Sequence, residues 1–367
     1  MSGATARVVI LPGDGVGPEV MAAARMVLAA ASEAAGIRLM VEECLVGGAA
    51  VDATGAPLPA ETLKACRGAD AVLLGAVGGP RWDAAPAERR PERGLLELRR
   101  LLGVYANVRP VRAVPALAHV SPLRAELLRD VDLVIVRELT GGLYFGNRGR
   151  TADASGGRAY DVCEYGVREI ERVARVAGRL ARARRARVTS VDKANVLETS
   201  RLWREVVTRL FAEEFPDVAL EHALVDSTAM RLVTAPASFD VVLTENMFGD
   251  ILSDEAAVLA GSIGLLPSAS LGDRQANGGI PGLYEPIHGS APDIAGRGIA
   301  NPTGAILSVA MLLRHSLEQE DAARAIERAV EECLESGVVT RDLGGDATTA
   351  EVAARVAGSI EISVSSI

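Results

Sequence analysis

The sequence contains little of what several protein classes require. Aromatic residues make up 3% of the chain, and its four cysteines, Cys44, Cys66, Cys163 and Cys333, are widely spaced with no CxxC pair. We therefore expect free thiols in a reducing compartment and no disulfide framework. The apolar runs are too short to span a bilayer, and the N-terminal segment lacks the successive regions of a signal peptide. These absences predict a soluble cytoplasmic protein without a membrane partner.

Positive charge is also in short supply. The chain has 39 Lys and Arg against 48 Asp and Glu, a formal net charge of −9 and a pI of about 5.2. This balance argues against nucleic acid or an anionic membrane as the main partner, and an acidic substrate would need a local group of arginines or lysines. With 367 residues, of which 49% are hydrophobic, the chain is long enough for two domains and a sizeable core.

Apolar runs and helical patterns alternate along the chain, which predicts an α/β fold. The first run, 7–11, ends in a glycine turn before a helix that begins near Pro18. This resembles the dinucleotide fingerprint G-x-G-x-x-G, but Pro18 takes the place of the last glycine and no acidic residue closes a second strand convincingly. We therefore predict a non-Rossmann fold. The segment 141–163 indicates a hairpin or arm, and 282–302 indicates a glycine- and proline-rich loop.

The stretch 246–255 predicts the start of a helix with chemistry on one face. Asp250 and Asp254 are four residues apart, so their carboxylates leave the same face and repel unless a cation lies between them. Mg²⁺ or Mn²⁺ suits such oxygen ligands. On spacing alone the alternative is favoured, namely that acids in a first helical turn complement the helix dipole and face water. The predicted apolar face consists of Ile251, Leu252, Ala256 and Leu259.

Several cationic and acidic residues lie at the ends of predicted strands and helices. Arg99, Arg109 and Arg137 would form an anion pocket if they meet, because a guanidinium group binds a carboxylate through two hydrogen bonds, although each alone is more often a surface charge. Lys193 follows a strand and is a candidate base only if neighbours lower its pKa. Asp226 is either a helix N-cap or a third metal oxygen.

Six motifs, in order, resemble those of the β-hydroxyacid oxidative decarboxylases, the family of isocitrate and isopropylmalate dehydrogenases. They are LPGDGVGPEV (11–20), GAVGGPRWD (75–83), RELTGGLYFG (137–146), VDKANVL (191–197), NMFGDILSD (246–254) and HGSAPDIAG (288–296). The resemblance implies a discontinuous first domain, 1–105 with 261–367, that binds the cofactor. It also implies an inserted second domain, 106–260, whose arm at about 141–163 pairs with a second subunit in a homodimer with shared active sites.

The resemblance implies oxidative decarboxylation of 3-isopropylmalate to 4-methyl-2-oxopentanoate and CO₂, with reduction of NAD, in leucine biosynthesis. The substrate carboxylates are then bound by Arg99, Arg109 and Arg137. Mg²⁺ or Mn²⁺ is held by Asp226, Asp250 and Asp254. Lys193 takes the hydroxyl proton, and Tyr144 supplies a proton to carbon; a packed arm aromatic is the alternative for Tyr144. Lys193 and Asp226 reach the partner's site.

The resemblance also implies the remaining contacts. Substrate contacts come from Asp226, Glu92, Leu95 and Leu96, the two leucines facing an isopropyl group. Cofactor contacts come from Gly79, Glu92, His288, Gly289, Ser290, Ala291, Asp293, Ile294 and Asn301. Asp293 would accept hydrogen bonds from the adenine ribose and select NAD over NADP, whereas the alternative is that it only caps the following turn. Glu245 stands where several relatives have a small residue, which leaves the local electrostatics open.

Two alternatives remain. The substrate would be D-malate, tartrate or isocitrate in other members of the family, and isocitrate relatives place a serine in the helix that carries Leu95 and Leu96 here. A non-catalytic metal-binding scaffold or regulatory subunit is the alternative outside the enzyme class. The complete set of Lys193, Tyr144, three arginines and three aspartates counts against it.

Overall fold

The computed structural model describes residues 5–152, 156–274 and 281–362. Its strands are β1 (Ala6–Gly13), β2 (Leu39–Glu43), β3 (Ala71–Ala76), β4 (Ala106–Arg112), β5 (Asp132–Glu138), β6 (Arg148–Thr151), β7 (Arg158–Asp161), β8 (Arg187–Asp192), β9 (Ala219–Leu224), β10 (Val241–Thr244), β11 (Pro267–Leu271) and β12 (Gly282–Pro286). Its α-helices are α1 (Gly17–Ala34), α2 (Gly47–Thr54), α3 (Ala60–Arg67), α4 (Pro91–Leu102), α5 (Ala125–Leu128), α6 (Val167–Arg182), α7 (Glu198–Glu214), α8 (Val225–Thr234), α9 (Asn246–Ala260), α10 (Thr303–His315), α11 (Glu320–Glu335) and α12 (Thr349–Gly358). The predicted α/β class is confirmed.

The chain forms two compact units. The first comprises Met1–Val104, Val114–Pro122 and Ala260–Ile367, and the second comprises Tyr105–Ala113 and Leu123–Leu259. The short segment 114–122 groups with the first unit although it lies inside the predicted inserted domain. The predicted domain boundaries themselves stay a prediction.

The first unit is built on strands in the order β2-β1-β3-β12-β11. The first three pairings are parallel, and β12 is antiparallel to β11. Side chains alternate across β1, so Val9 and Leu11 lie on one face with Val72 and Leu74 of β3, where Leu98 of α4 also packs. Helices α1, α10, α11 and α12 pack on one another. Burial of both sheet faces explains the nearly continuous apolar sequence of β1 and β3.

The second unit is built on strands in the order β4-β5-β10-β8-β9. Strand β4 is antiparallel to β5, and the other neighbours are parallel. The parallel strands end at the same edge, so the residues after β5, β8, β9 and β10 collect there. Separately, β6 and β7 form the hairpin predicted for the arm, and residues 153–155 of that segment lie outside the described part.

Two predictions about local structure are wrong. Residues 282–286 were predicted to be loop but form β12, because all five are buried and pair with β11, and two of them also pair with β3. Ile251 was predicted to face the core, but 59% of its surface is exposed, whereas Leu252 and Ala256 are fully buried. A helix turns by about 100° per residue, so neighbouring apolar residues can lie on different faces.

The described part of the chain contains no helix long and apolar enough to cross a membrane. All four cysteines are free thiols, as predicted. Two of them, Cys66 and Cys333, are buried, and the other two are half-buried.

The burial of His315, the last residue of α10, makes the stability of the fold depend on pH. Desolvation and then the neighbouring Arg314 cation lower the pKa of His315 from 6.5 to about 4. The unfolded chain therefore binds a proton at this residue between those pH values while the folded chain does not. Stability is retained above the unfolded pKa and is lost as the pH falls toward the folded pKa.

We predict that His315→Leu reduces the loss of unfolding free energy between pH 7 and pH 4 by up to about 3 kcal/mol, since it removes this proton uptake. Urea unfolding at several pH values measures the effect. His119→Leu makes the same replacement at an exposed histidine and is the control. An unchanged pH slope in His315→Leu contradicts the prediction.

Candidate active site

Two predicted substrate arginines lie on one face of the second unit's sheet. In the β4–β5 register Asn107 lies opposite Arg137, and Arg109 follows two residues later, so all three share a face. Arg109 and Arg137 are 7% and 3% exposed. Buried guanidinium groups need anionic or hydrogen-bonding partners, and the surrounding residues supply them.

Asp250 of α9 is the anion on which these groups converge. Its Oδ1 accepts a hydrogen bond from Nη1 of Arg137 and lies 3.7 Å from Nη2 of Arg109. Its Oδ2 accepts from the Tyr144 hydroxyl at 3.0 Å. The structure therefore brings together Arg109, Arg137, Tyr144 and Asp250, four residues predicted to be functional.

Tyr144 is held as a protonated phenol in this cluster. Burial raises the pKa of Tyr144, and the adjacent Asp250 carboxylate raises it further by disfavouring a second negative charge. The Arg137 guanidinium group lies 5.7 Å from the ring centroid, which also fixes the ring. Tyr144 is therefore in contact with charged site residues, which disfavours the alternative of a merely packed arm aromatic.

The carboxylates of Asp250 and Asp254 leave the same side of α9, as their spacing predicts. Both contact Arg109, with Asp254 Oδ1 3.6 Å from Nη1. The alternative placed them in a first helical turn, but α9 begins at Asn246, so Asp250 lies in the second turn and the helix-dipole argument does not apply. Two hard oxygen donors on one face fit part of a Mg²⁺ or Mn²⁺ site.

The third predicted metal ligand lies elsewhere on the second unit. Asp226 lies one residue inside α8, which begins at Val225, so the N-cap alternative is wrong. Its Oδ1 accepts a hydrogen bond from Nζ of Lys193 at 2.7 Å, and this bond lowers the pKa of Asp226. Among residues 5–152, 156–274 and 281–362, no three His, Cys, Asp or Glu side chains form a metal site within one chain. The two carboxylates of α9 therefore fit the metal only if another ligand joins them.

The turn that connects β5 to the arm and the turn after β8 are fixed by buried acids next to predicted site residues. Glu138, which follows Arg137, accepts hydrogen bonds from the backbone of Thr140 and Gly141. Asp192, which precedes Lys193, accepts from the N–H of Ala194 at 2.9 Å and twice from Arg204 at 2.9 Å each. These acids hold the backbone from which the predicted site residues project.

In the first unit, the glycine turn after β1 contacts the loop predicted to bind NAD. Val16 N–H donates to the Ser290 carbonyl at 2.8 Å, and a Cβ at Gly15, where φ is +58°, would lie 1.9 Å from that oxygen. Glycine is therefore required here by close approach of two backbones. The turn therefore packs against a neighbouring loop of the first unit.

His288 presents an unpartnered nitrogen in this loop. Its Nδ1 lies 2.9 Å from the Gly289 carbonyl, which can only accept, so Nδ1 carries the hydrogen. Burial lowers the pKa of His288, so the ring is neutral and Nε2 is an acceptor. Nε2 is buried and has no partner among the described residues. A buried acceptor without a partner fits a ligand with a donor group, such as the amino group of adenine.

Two other predicted cofactor residues of the loop differ in burial and in their hydrogen-bond partners. Asn301 is buried, and its side chain bonds Asp342 and the backbone of Thr303. Asp293 is exposed, and its carboxylate has no hydrogen-bond partner in the described ranges, so it does not cap the following turn. Ile294 N–H donates instead to the Ala291 carbonyl. The carboxylate of Asp293 is therefore available to a ligand.

Helix α4 carries the remaining predicted residues. Arg99 donates from Nη2 to Glu285 of β12 at 2.5 Å, and both side chains are nearly buried. Glu92 is exposed in the first turn and lies close over Gly78, next to Gly79. Leu95 and Leu96 are half-buried, and Leu95 packs against the core cluster.

Several contributing residues were not found by sequence reasoning. Ser253 accepts from Nη1 of Arg109 at 2.5 Å, and Glu285 pairs with Arg99. Asp14 is buried and accepts three backbone N–H groups, those of Gly48, Ala49 and Gly78, each at 2.8 Å. Ser253 and Asp14 lie inside the quoted motifs, so their position was a usable signal. Glu285 lay in the segment wrongly predicted to be loop.

Comparisons with known proteins show the family of the chain. A protein-family model described as "Isocitrate/isopropylmalate dehydrogenase" matches residues 7–356. The chain belongs to the isocitrate/isopropylmalate dehydrogenase family. The predicted family and its dehydrogenase class are confirmed.

The similar proteins cover nearly the whole chain. A 3-isopropylmalate dehydrogenase of Anaeromyxobacter dehalogenans (strain 2CP-C) is 59% identical over 349 residues, covering 95% of this chain and 97% of the relative. That of Bacillus subtilis (strain 168) is 56% identical, covering 92% and 91%. The crystal structure of isocitrate dehydrogenase from Methylococcus capsulatus matches with a TM-score of 0.85 at 38% identity, covering 97% and 99%. A β-decarboxylating dehydrogenase from Thermococcus kodakarensis matches with a TM-score of 0.79 at 40% identity, covering 97% and 96%.

Proposed function

We propose that the chain catalyses the NAD- and metal-dependent oxidative decarboxylation of 3-isopropylmalate in leucine biosynthesis, in the cytoplasm. The observation that supports this most directly is the convergence of Arg109, Arg137 and Tyr144 on Asp250. It combines carboxylate binding, a protonated phenol and a metal-type carboxylate in one place. The relatives named 3-isopropylmalate dehydrogenase are 54–59% identical, whereas the structure named isocitrate dehydrogenase is 38% identical, which favours isopropylmalate.

The proposed reaction assigns each step to residues of this chain. Arg99, Arg109 and Arg137 bind the two carboxylates of the substrate. Lys193 accepts the proton of the C2 hydroxyl, directly or through water. When bound, NAD accepts the C2 hydride and Mg²⁺ or Mn²⁺ stabilises negative charge on the C2 oxygen. After CO₂ leaves, the Tyr144 hydroxyl donates a proton to carbon, which its raised pKa permits because the phenol stays protonated near neutral pH.

The proposed active site is shared between two subunits. On α8, Asp226 and the 70% exposed Met230 are four residues apart and share a face. On α9, Ile251, Asp254 and Val258 also share a face, and both apolar side chains are more than 40% exposed. Exposed apolar residues on the faces that carry metal-type carboxylates support burial against a second copy. A partner could thereby supply Asp226 to the carboxylates of α9.

The first experiment is an NADH absorbance assay with 3-isopropylmalate, D-malate and isocitrate. We expect 3-isopropylmalate to give the highest kcat/KM. EDTA should stop turnover and Mg²⁺ or Mn²⁺ should restore it, because the predicted ligands are hard carboxylate oxygens that bind these ions. Asp250→Asn removes one predicted metal ligand and should lose metal-dependent activity. Full turnover by exhaustively chelated enzyme would exclude metal catalysis, and a preference for another substrate would change the assignment.

A subunit-mixing experiment tests the shared site. Lys193→Met and Asp250→Asn should each be inactive, whereas unfolding and refolding them together should restore about a quarter of wild-type activity. The reason is that half of the dimers are mixed and one of their two sites has both residues intact. Each variant refolded alone is the control. Mixed dimers without activity would place the whole site within one chain.

The preference for NAD over NADP tests whether the exposed carboxylate of Asp293 selects the cofactor. A carboxylate accepts hydrogen bonds from the ribose hydroxyls of NAD but repels the 2′-phosphate of NADP. We expect wild type to prefer NAD strongly and Asp293→Lys with Ile294→Tyr to shift the kcat/KM ratio toward NADP. Asp346→Lys, a charge change outside the predicted cofactor contacts, is the control for net charge. A ratio that the double substitution does not move would show that this loop does not set the choice.

A further inference from the structure

A buried tyrosine and a buried glutamate, neither of which has a role in the proposed reaction, join the elements of the site. Tyr165, just before α6, is 7% exposed, and Glu245, just before α9, is 8% exposed. The Tyr165 hydroxyl donates to Oε2 of Glu245 at 3.2 Å and accepts from the N–H of Asn246 at 3.0 Å. We refer to Tyr165 and Glu245 as the capping pair.

The capping pair satisfies the first backbone donors of α9. Glu245 accepts from the N–H groups of Met247 at 3.1 Å and Phe248 at 2.7 Å through its carboxylate, and from Gly249 through its carbonyl. Tyr165 satisfies Asn246. The first N–H groups of a helix have no partner within the helix, so these contacts fix where α9 begins. These bonds show what the acidic side chain at position 245 contacts, namely the first N–H groups of the helix.

The residue that the capping pair fixes holds the substrate arginine. Oδ1 of Asn246 accepts from Nε and Nη2 of Arg137 at 3.1 and 2.8 Å. Its Nδ2 donates to the Gly141 carbonyl at 3.0 Å. The remaining arm of the guanidinium group, Nη1, bonds Asp250 one turn further along α9. Both ends of the Arg137 guanidinium group are therefore set by the first two turns of one helix.

The ring of Tyr165 supports the other side of the site. A Cβ on Gly141 would lie 2.7 Å from the ring, and one on Gly142 would lie 2.4 Å from the hydroxyl oxygen. The backbone that leads to Tyr144 therefore packs directly on Tyr165. The ring is fixed in turn by an edge contact with Trp203, whose centroid is 5.7 Å away.

We infer that Tyr165 and Glu245 are positioning residues that hold Arg137, Tyr144 and Asp250 in the geometry needed for substrate and metal. This inference rests on the proposed function for its substrate. It makes a selective prediction, because the capping pair contacts α9 and the glycines at 141 and 142 after β5, whereas the predicted NAD residues belong to the first unit. Disturbing the pair should therefore weaken substrate and metal binding and leave NAD binding unchanged.

The test is Tyr165→Phe, which keeps the ring and removes the hydroxyl. We expect the KM for 3-isopropylmalate and the Mn²⁺ concentration for half-maximal activity to rise about tenfold or more, as for other residues that orient metal ligands, with the KM for NAD within twofold of wild type. Titration calorimetry of Mn²⁺ alone, without turnover, should show weaker binding. Glu245→Gln keeps one acceptor for the helix N–H groups and should shift the same two constants by a smaller factor.

Tyr284→Phe is the matched control. It also removes a buried hydroxyl, which bonds Ser316 at 2.7 Å within the first unit, so it should lower Tm while leaving all three constants unchanged. If Tyr165→Phe lowers Tm but leaves the substrate and metal constants unchanged, or raises the NAD constant equally, the positioning role is overturned. If Tyr165→Phe does not fold, the same measurements on Glu245→Gln test the positioning role. Absence of turnover by wild type overturns the proposed function instead, and the Mn²⁺ titration still tests the capping pair.

Discussion

Two guanidinium groups buried on one sheet face constrain the candidate site of the second unit. Arg109 and Arg137 cannot be left unpaired there, because burying an unpartnered charge is costly. Asp250 contacts both guanidinium groups. Arg109 also donates from Nε to Oδ1 of Asn107 at 2.6 Å and from Nη1 to Ser253, and Arg137 also donates to Asn246. The helix that supplies Asp250 must therefore begin at a defined residue and lie at a defined height above the strands, which is what its buried N-terminal contacts provide.

This arrangement also explains how like charges coexist on α9 in a single chain. Asp250 and Asp254 would repel each other, but Arg109 lies within 4 Å of both carboxylates. Asp226 is compensated in the same way by Lys193. The groups predicted to bind ligand thus neutralise one another within the chain. Ligand binding at these residues exchanges one set of charge pairs for another, so the gain in affinity is smaller than the new contacts alone suggest.

Much of the fold and of the candidate residues follows from the sequence for local reasons. The alternation of strands and helices, the arm hairpin and the helical pattern that follows Asn246 depend on short-range patterns. The failures have a different origin. β12 is short and contains glycine and proline, and it becomes a strand because it pairs with β11 on one side and with β3, about two hundred residues earlier, on the other. The exposure of Ile251 and the partners of Arg99 and Glu245 likewise depend on distant segments, which periodicity does not reveal.

Because the first unit is discontinuous in sequence, its two parts cannot fold together until late in synthesis. Its sheet places β12 beside β3, and its helices α10, α11 and α12 pack with α1, so the N-terminal segment has no complete core until the last third of the chain has been made. The second unit, by contrast, is encoded by one nearly continuous central stretch. On a ribosome the central stretch can fold first while β1, β3 and α1 wait, with their apolar faces uncovered, for the C-terminal strands. Chaperone demand during translation should therefore fall on the N-terminal hundred residues.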